Sequence, residues 1–251
     1  MSPAATLNWP VFKDEAERFF ESHLARPRKL FEAFVAAGTG SGRRPGPRLL
    51  YWQAVFSFSI AALEAGLEDL IFAAHGARQG AEGQPITAAS NSPDGNPRSW
   101  LVEKRLMAPN SSKVNQVLYA DFGSLIGSLP VSGRFTVLWK YAPEAGSGRG
   151  EKKPGPTTWA ELSKHLDTMQ YIRNATAHGD AARLARHPQH SRGALWLLRQ
   201  NHEWSVQQPH ALTALRATLA VFNTVAEELA QAIGYPTLLS LTTPDTIDFP
   251  A

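Results

Sequence analysis

Cysteine is absent from all 251 residues. Without a thiol there is no disulfide scaffold, thiolate zinc centre, iron–sulfur cluster or cysteine nucleophile. Charge is scarce too: Asp, Glu, Lys and Arg make up 19% of the chain, below the roughly 25% of ordinary soluble domains. The 25 basic and 22 acidic residues leave a formal net charge of +3. That allows a nucleic-acid partner without demanding one. Long apolar runs are missing as well. The longest, residues 49–63, is broken by Gln53, Ser57 and Ser59 and stops at Glu64, too short and too polar to span a bilayer. Residues 1–9 lack the charged and then apolar pattern of a secretory signal. The expectation is a cytoplasmic protein with no membrane partner. Apolar and aromatic side chains, by contrast, are plentiful, with 43% hydrophobic residues, twelve Phe and seven Trp. Global disorder is thereby excluded, and one large domain has enough material for a core.

Gly and Pro punctuate the chain most densely at residues 38–48, 76–97 and 143–156, which read as long loops. Between them the pattern is helical. Residues 12–37 predict two short helices divided near Pro27, and residues 47–75 a long helix that is apolar on nearly every side, as a central helix is. Residues 112–129 repeat apolar side chains at Val114, Leu118, Phe122, Leu125 and Leu129, with Pro130 as the stop. Residues 158–178 open on a capping box, Thr158 with Glu161 three later, and carry the stripe Trp159, Leu162, Leu166, Met169 and Ile172. Residues 209–233 begin with Pro in the first turn and end at Gly234. Residues 135–141 and 194–206 are strand-like and suit a minor β-hairpin. The fold class is therefore all-α, a bundle of about five to six helices. The organisation expected is an N-terminal helical extension (1–46), a helical domain (47–234) and an extended C-terminal tail (235–251).

Two features carry chemistry. On the long helix, Gln53, Ser57, Glu64, Glu68 and His75 fall in one narrow stripe at about 100° per residue. Such a stripe either faces solvent or lines a polar cleft within the bundle. On the capped helix, Arg173 falls within the apolar stripe, after Ile172. Its guanidinium keeps its charge and needs an anion, either Glu64 or Glu68 or a ligand phosphate. Asn174 and His178 are four apart and share a face. Arg173 and His178 are five apart, about 140° around an α-helix, so one site uses both only if the Arg side chain curls round or a second subunit completes it. Gly179 ends the helix, leaving His178 at the negative end of the helix dipole.

The segment Arg173-Asn174-Ala175-Thr176-Ala177-His178-Gly179 resembles the Arg-x(4–6)-His signature of the HEPN superfamily (higher eukaryote and prokaryote nucleotide-binding domains), including the polar residue after Arg. Members are small α-helical bundles with the signature near the end of a later helix. The pair Leu63-Glu64 on the long early helix also resembles the ribonuclease-like branch of defence and toxin systems. Arg18-x4-His23 and Arg183-x6-His190 satisfy the same bare pattern. The first is followed by Phe19 and Phe20 and reads as packing, and the second sits in a basic loop with Pro188.

The resemblance implies a metal-independent endoribonuclease, in which an RNA 2′-OH attacks the adjacent phosphorus and leaves a 2′,3′-cyclic phosphate. It assigns His178 to general acid or base catalysis and Arg173 to the charge on the phosphorane, while Asn174 orients the phosphate or His178. Glu64 and Glu68 are supporting residues, by inference from the stripe. The implied partners are RNA, a second copy in a homodimer and an antitoxin protein. The alternative is a non-catalytic helical binding or regulatory module of the same fold. Residues 180–193 gather Arg183, Arg186, His187 and Arg192 just after His178. They are either a solvated basic loop or an RNA-binding contact to phosphates. His187 and His190 lack an accompanying carboxylate cluster, so no metal and no cofactor is expected.

Overall fold

The structure, a computed structural model, describes residues 7–37, 45–86, 109–124, 136–139, 151–154, 158–178, 198–200, 203–206 and 208–235. It is an all-α bundle. Helix α1 (Phe12–Arg18) runs through a π-helical turn, Phe19–His23, into α2 (Ala25–Ala37). There follow α3 (Pro45–Arg78), α4 (Ser111–Phe122), α5 (Trp159–Ala177) and α6 (Gln208–Ala232). The long helices α3 and α6 form the principal pair. Helices α1 and α2 pack on α3, α5 packs on both α3 and α6, and α4 packs on α5 and α6.

The core explains why α3 is apolar on so many sides. Val55, Phe56, Ile60, Leu63, Leu67 and Leu70 are all buried along it, as are Leu215, Leu219, Phe222 and Val225 of α6. Phe12, Phe19 and Phe31 belong to the same continuous core, so the first helices share the hydrophobic interior of the rest. Phe19 lies flat on Phe222, with ring centroids 3.7 Å apart and planes within 8°. Gly66 makes this stacking possible: a Cβ there would run into the Phe19 ring and come within 3.3 Å of Phe222 Cε2.

Several boundaries differ from the sequence pattern. The break in the first helical stretch falls at the π turn, before Pro27, which lies in the first turn of α2. Pro has no N–H to return to the carbonyl of His23, and Leu24 N–H instead reaches back to Phe19 O at 2.8 Å. Helix α4 stops at Phe122, not at Pro130. Gly123 adopts φ 72°, and Ser124 N–H closes on Leu118 O at 3.0 Å, a Schellman-type end that a left-handed residue permits. Leu125, Leu129 and Pro130 lie outside the described residues. Among the described residues the two strand-like stretches do not pair with one another. Instead Thr136–Trp139 pairs antiparallel with Glu151–Pro154, and Leu198–Gln200 pairs antiparallel with Glu203–Ser205. Near the start of the chain, Leu7–Asn8 pairs with Pro85–Ile86. Among the described residues, no helix is long and apolar enough to cross a membrane.

Candidate functional site

Helix α5 is positioned at its start. Thr158 caps it, accepting a bond from Glu161 N–H at 3.4 Å. The fully buried Trp159 donates its indole N–H to Asn115 Oδ1 at 2.7 Å. Asp167, two turns on, accepts from Ser111 N–H at 3.1 Å and Ser111 Oγ at 2.7 Å. Asn110 caps α4 through Lys113 N–H at 2.9 Å. These contacts fix α5 against α4 and set the direction in which its C-terminal half meets α3.

In that half, Arg173 forms an ion pair and hydrogen bond through Nη2 to Glu64 Oε1. The Arg173 side chain is 26% exposed and that of Glu64 14%, so the pair lies in the bundle wall with one side open to solvent. Gln170, three residues earlier on the same face, donates Nε2–H to Pro109 O at 2.5 Å and to Glu64 Oε1 at 3.4 Å. Burial pushes the Glu64 carboxyl above its ordinary value of 4.5. Arg173 draws it back, Glu68 pushes it further up, and the bonds from Gln170 and Arg173 oppose that rise. Burial prevails. Arg173 Nε is buried with no hydrogen-bond partner among the described residues.

The polar stripe of α3 thus meets neighbouring helices at two points, forming a seam at Glu64 with α5 and at His75 with α4. Gln53, Ser57, Glu64 and Glu68 are half-buried and His75 is buried. At its far end His75 Nε2 stands 3.2 Å from Asp121 Oδ2 of α4. Glu64 and Arg173 meet, which is one of the two carboxylate pairings that the helical arithmetic allowed. Asn174 is half-buried, and its carbonyl accepts from His178 N–H at 3.1 Å. His178 is the exposed C-cap of α5, at φ −90° and ψ −2°. Arg173 and His178 therefore occupy one helix end, but only Arg173 is tied into the seam. Arg183, Arg186, His187 and Arg192 lie outside the described residues, as do residues 236–251 of the tail. Among the described residues no cluster of His, Cys, Asp or Glu is arranged to hold a metal ion.

Sequence reasoning missed Gln170, although its spacing from Arg173 was visible. It also assigned Arg18 and His23 to packing. In the structure Arg18 Nη1 lies 2.9 Å from Glu15 Oε1, and His23 Nε2 lies 3.1 Å from Asp69 Oδ2. Compared with protein-family models, curated proteins and solved structures, the chain matches none.

Proposed function

We propose that the chain is a metal-independent endoribonuclease of the HEPN type, acting in the cytoplasm within a toxin or defence system. The observation that carries this reading is the Arg173–Asn174–His178 segment at the end of α5, with Arg173 held by Glu64 yet still partly open to solvent. In the reaction His178 takes the proton of an RNA 2′-OH as that oxygen attacks the adjacent phosphorus. The P–O5′ bond breaks and the 5′-oxygen leaves with a proton, giving a 2′,3′-cyclic phosphate and a 5′-hydroxyl. Arg173 offsets the charge that develops on the phosphorane, as a fixed donor does best. Asn174 orients the phosphate or His178.

A homodimer fits the angular problem, since a second copy supplies the group that one helix end turns away. An apolar face supports it: Leu50 and Phe58 are 67% and 39% exposed on α3, and with exposed Ala61 they span an arc of about 80°. Arg183, Arg186, His187 and Arg192 extend the phosphate contact, and an antitoxin protein restrains the activity. The second reading is a non-catalytic binding or regulatory module. One observation favours it: the Arg173 charge is met internally by Glu64, so it does not require a ligand phosphate.

The test is cleavage of RNA by the purified full chain with a chelator present. Cyclic-phosphate ends are expected. His178→Ala should slow cutting by about 10²–10⁴-fold, and Arg173→Ala by about 10²–10³-fold, with helical circular dichroism intact. Unchanged cutting by the His178→Ala protein rejects the mechanism, and absence of cutting by the unaltered chain favours the binding module.

A further inference from the structure

Gln170 lies on α5 one turn before Arg173, and it is only 8% exposed. Leu166, Met169 and Ile172 of the same helix are buried too, so an apolar side chain would suit the packing. An amide buried there costs free energy unless it is bonded. Gln170 meets two acceptors: its Nε2 group donates to Pro109 O at 2.5 Å and to Glu64 Oε1 at 3.4 Å. A peptide carbonyl only accepts, and so does an ionised carboxylate. The NH2 end, with its two hydrogens, is therefore the end that faces both.

The two bonds reach groups of different character. Pro109 is buried and directly precedes Asn110, the cap of α4. Helix α4 is itself fastened to α5 by Ser111 on Asp167 and by Asn115 on Trp159. The short bond to Pro109 O thus ties Gln170 to a fixed frame. The longer bond crosses to α3, where Glu64 Oε1 also takes Nη2 of Arg173. Two donors one turn apart on α5 converge on one carboxylate oxygen.

That convergence restricts Glu64 in a way that Arg173 alone does not. An arginine side chain has many rotamers and follows its carboxylate wherever that moves. With Gln170 holding Glu64 in place, the guanidinium bound to it keeps a constant edge towards solvent, where Arg173 is 26% exposed. The donor is also uncharged. It favours the ionised form of Glu64 without replacing Arg173 as the counter-ion, as a lysine at that position would.

We propose that Gln170 is a positioning residue for Arg173, acting through Glu64 so that the guanidinium meets a phosphodiester in one orientation. The phosphodiester rests on the ribonuclease reading, whereas the hold of Gln170 on Arg173 does not. Methionine is unbranched and similar in length, so Gln170→Met keeps the packing and removes both donors. RNA cleavage by the full chain is the first measurement, with helical circular dichroism matched between variants. Arg173 acts on charge that develops only at the phosphorane, so kcat should fall about 10–10²-fold with KM unchanged. In the Arg173→Ala background the same substitution should cost nothing further, because residues that act as one unit are not additive. A residue that only fills space gives losses that add. Additive losses, unchanged cleavage or a change in KM alone overturn the proposal.

If the unaltered chain does not cut RNA, the ribonuclease reading fails and the hold on Arg173 is read directly. Arg173 Nε is buried, so its N–H should give a protected side-chain signal in proton–nitrogen NMR, identified by its absence from Arg173→Lys. Gln170→Met should broaden or remove that signal, and an unchanged signal overturns the proposal. If Gln170→Met does not fold, Gln170→Leu carries the same comparisons.

Discussion

Glu64 is the residue on which the bundle and the candidate site meet, and its titration shows which of two opposing effects is stronger. Arg173 and Gln170 both favour the charged carboxylate, yet burial leaves it harder to ionise than in water. A carboxyl raised in the folded state contributes stability that is full below its unfolded value, 4.5 here, and is lost as pH rises through the folded value. At neutral pH, then, the charge on Glu64 costs stability despite its partner. Glu64→Gln keeps the shape and an acceptor for Arg173 while removing that cost, so its urea midpoint at pH 7 should equal or exceed that of the unaltered protein. Glu64→Ala removes the acceptor as well and should lose about 1–3 kcal/mol. A loss of more than about 1 kcal/mol in Glu64→Gln would show that the ion pair outweighs the burial. The need of Arg173 for an anion was legible in the sequence, because an arginine in an apolar stripe cannot discharge. The choice of Glu64 over Glu68 was not, since helical arithmetic gives angles on each helix but no rotation of one helix against another.

At the scale of elements, the sequence marked helices well where a cap or a periodic stripe defines them. Thr158 with Glu161, and Gly234 after α6, fall where helix ends are observed. It failed where the deciding contact is tertiary. The π turn Phe19–His23 coincides with the stacking of Phe19 on Phe222 in the notch left by Gly66, a contact between three distant parts of the chain, and Pro27 alone did not place it. Helix α4 shows the opposite error. Apolar spacing runs on through Leu125 and Leu129, but the left-handed Gly123 outranks it. The notch supplies a prediction. Gly66→Ala gains up to about 1 kcal/mol of helix propensity, but its methyl runs into the Phe19 ring and crowds Phe222, and should cost about 1–3 kcal/mol through overpacking. Net destabilisation is expected in chemical unfolding. Phe19→Leu in the same background should relieve part of it, because a smaller side chain gives the methyl room. A Gly66→Ala protein more stable than the parent would mean that the stack shifts freely and does not hold the π turn.

The whole molecule combines a rich aromatic core with several titratable groups sealed inside it, and this sets how it responds to acid. His210, 1% exposed at the start of α6, is pushed down to about 3 by burial. His165 on α5 is pushed down to about 4, also chiefly by burial, with Glu161 opposing. In the unfolded chain both take up protons near 6.5. A depressed folded value means stability that is present above the unfolded value and lost as pH falls towards the folded one. Each such group costs about 1.4 kcal/mol per pH unit once its unfolded form is fully protonated. The raised carboxyls Glu64 and Glu15 act in the opposite sense above 4.5, so the net slope of stability against pH is the histidine contribution below 6.5 less that of the carboxyls, and the histidine part is read by removing one histidine. His210→Gln removes the more deeply buried of the two and should lower that slope by up to about 1.4 kcal/mol per pH unit, while losing some stability at pH 7 to imperfect packing. Urea unfolding across pH 5–7.5 measures both proteins. Parallel curves would mean that His210 is reached by water before the bundle opens, and that α6 does not hold its first turn closed.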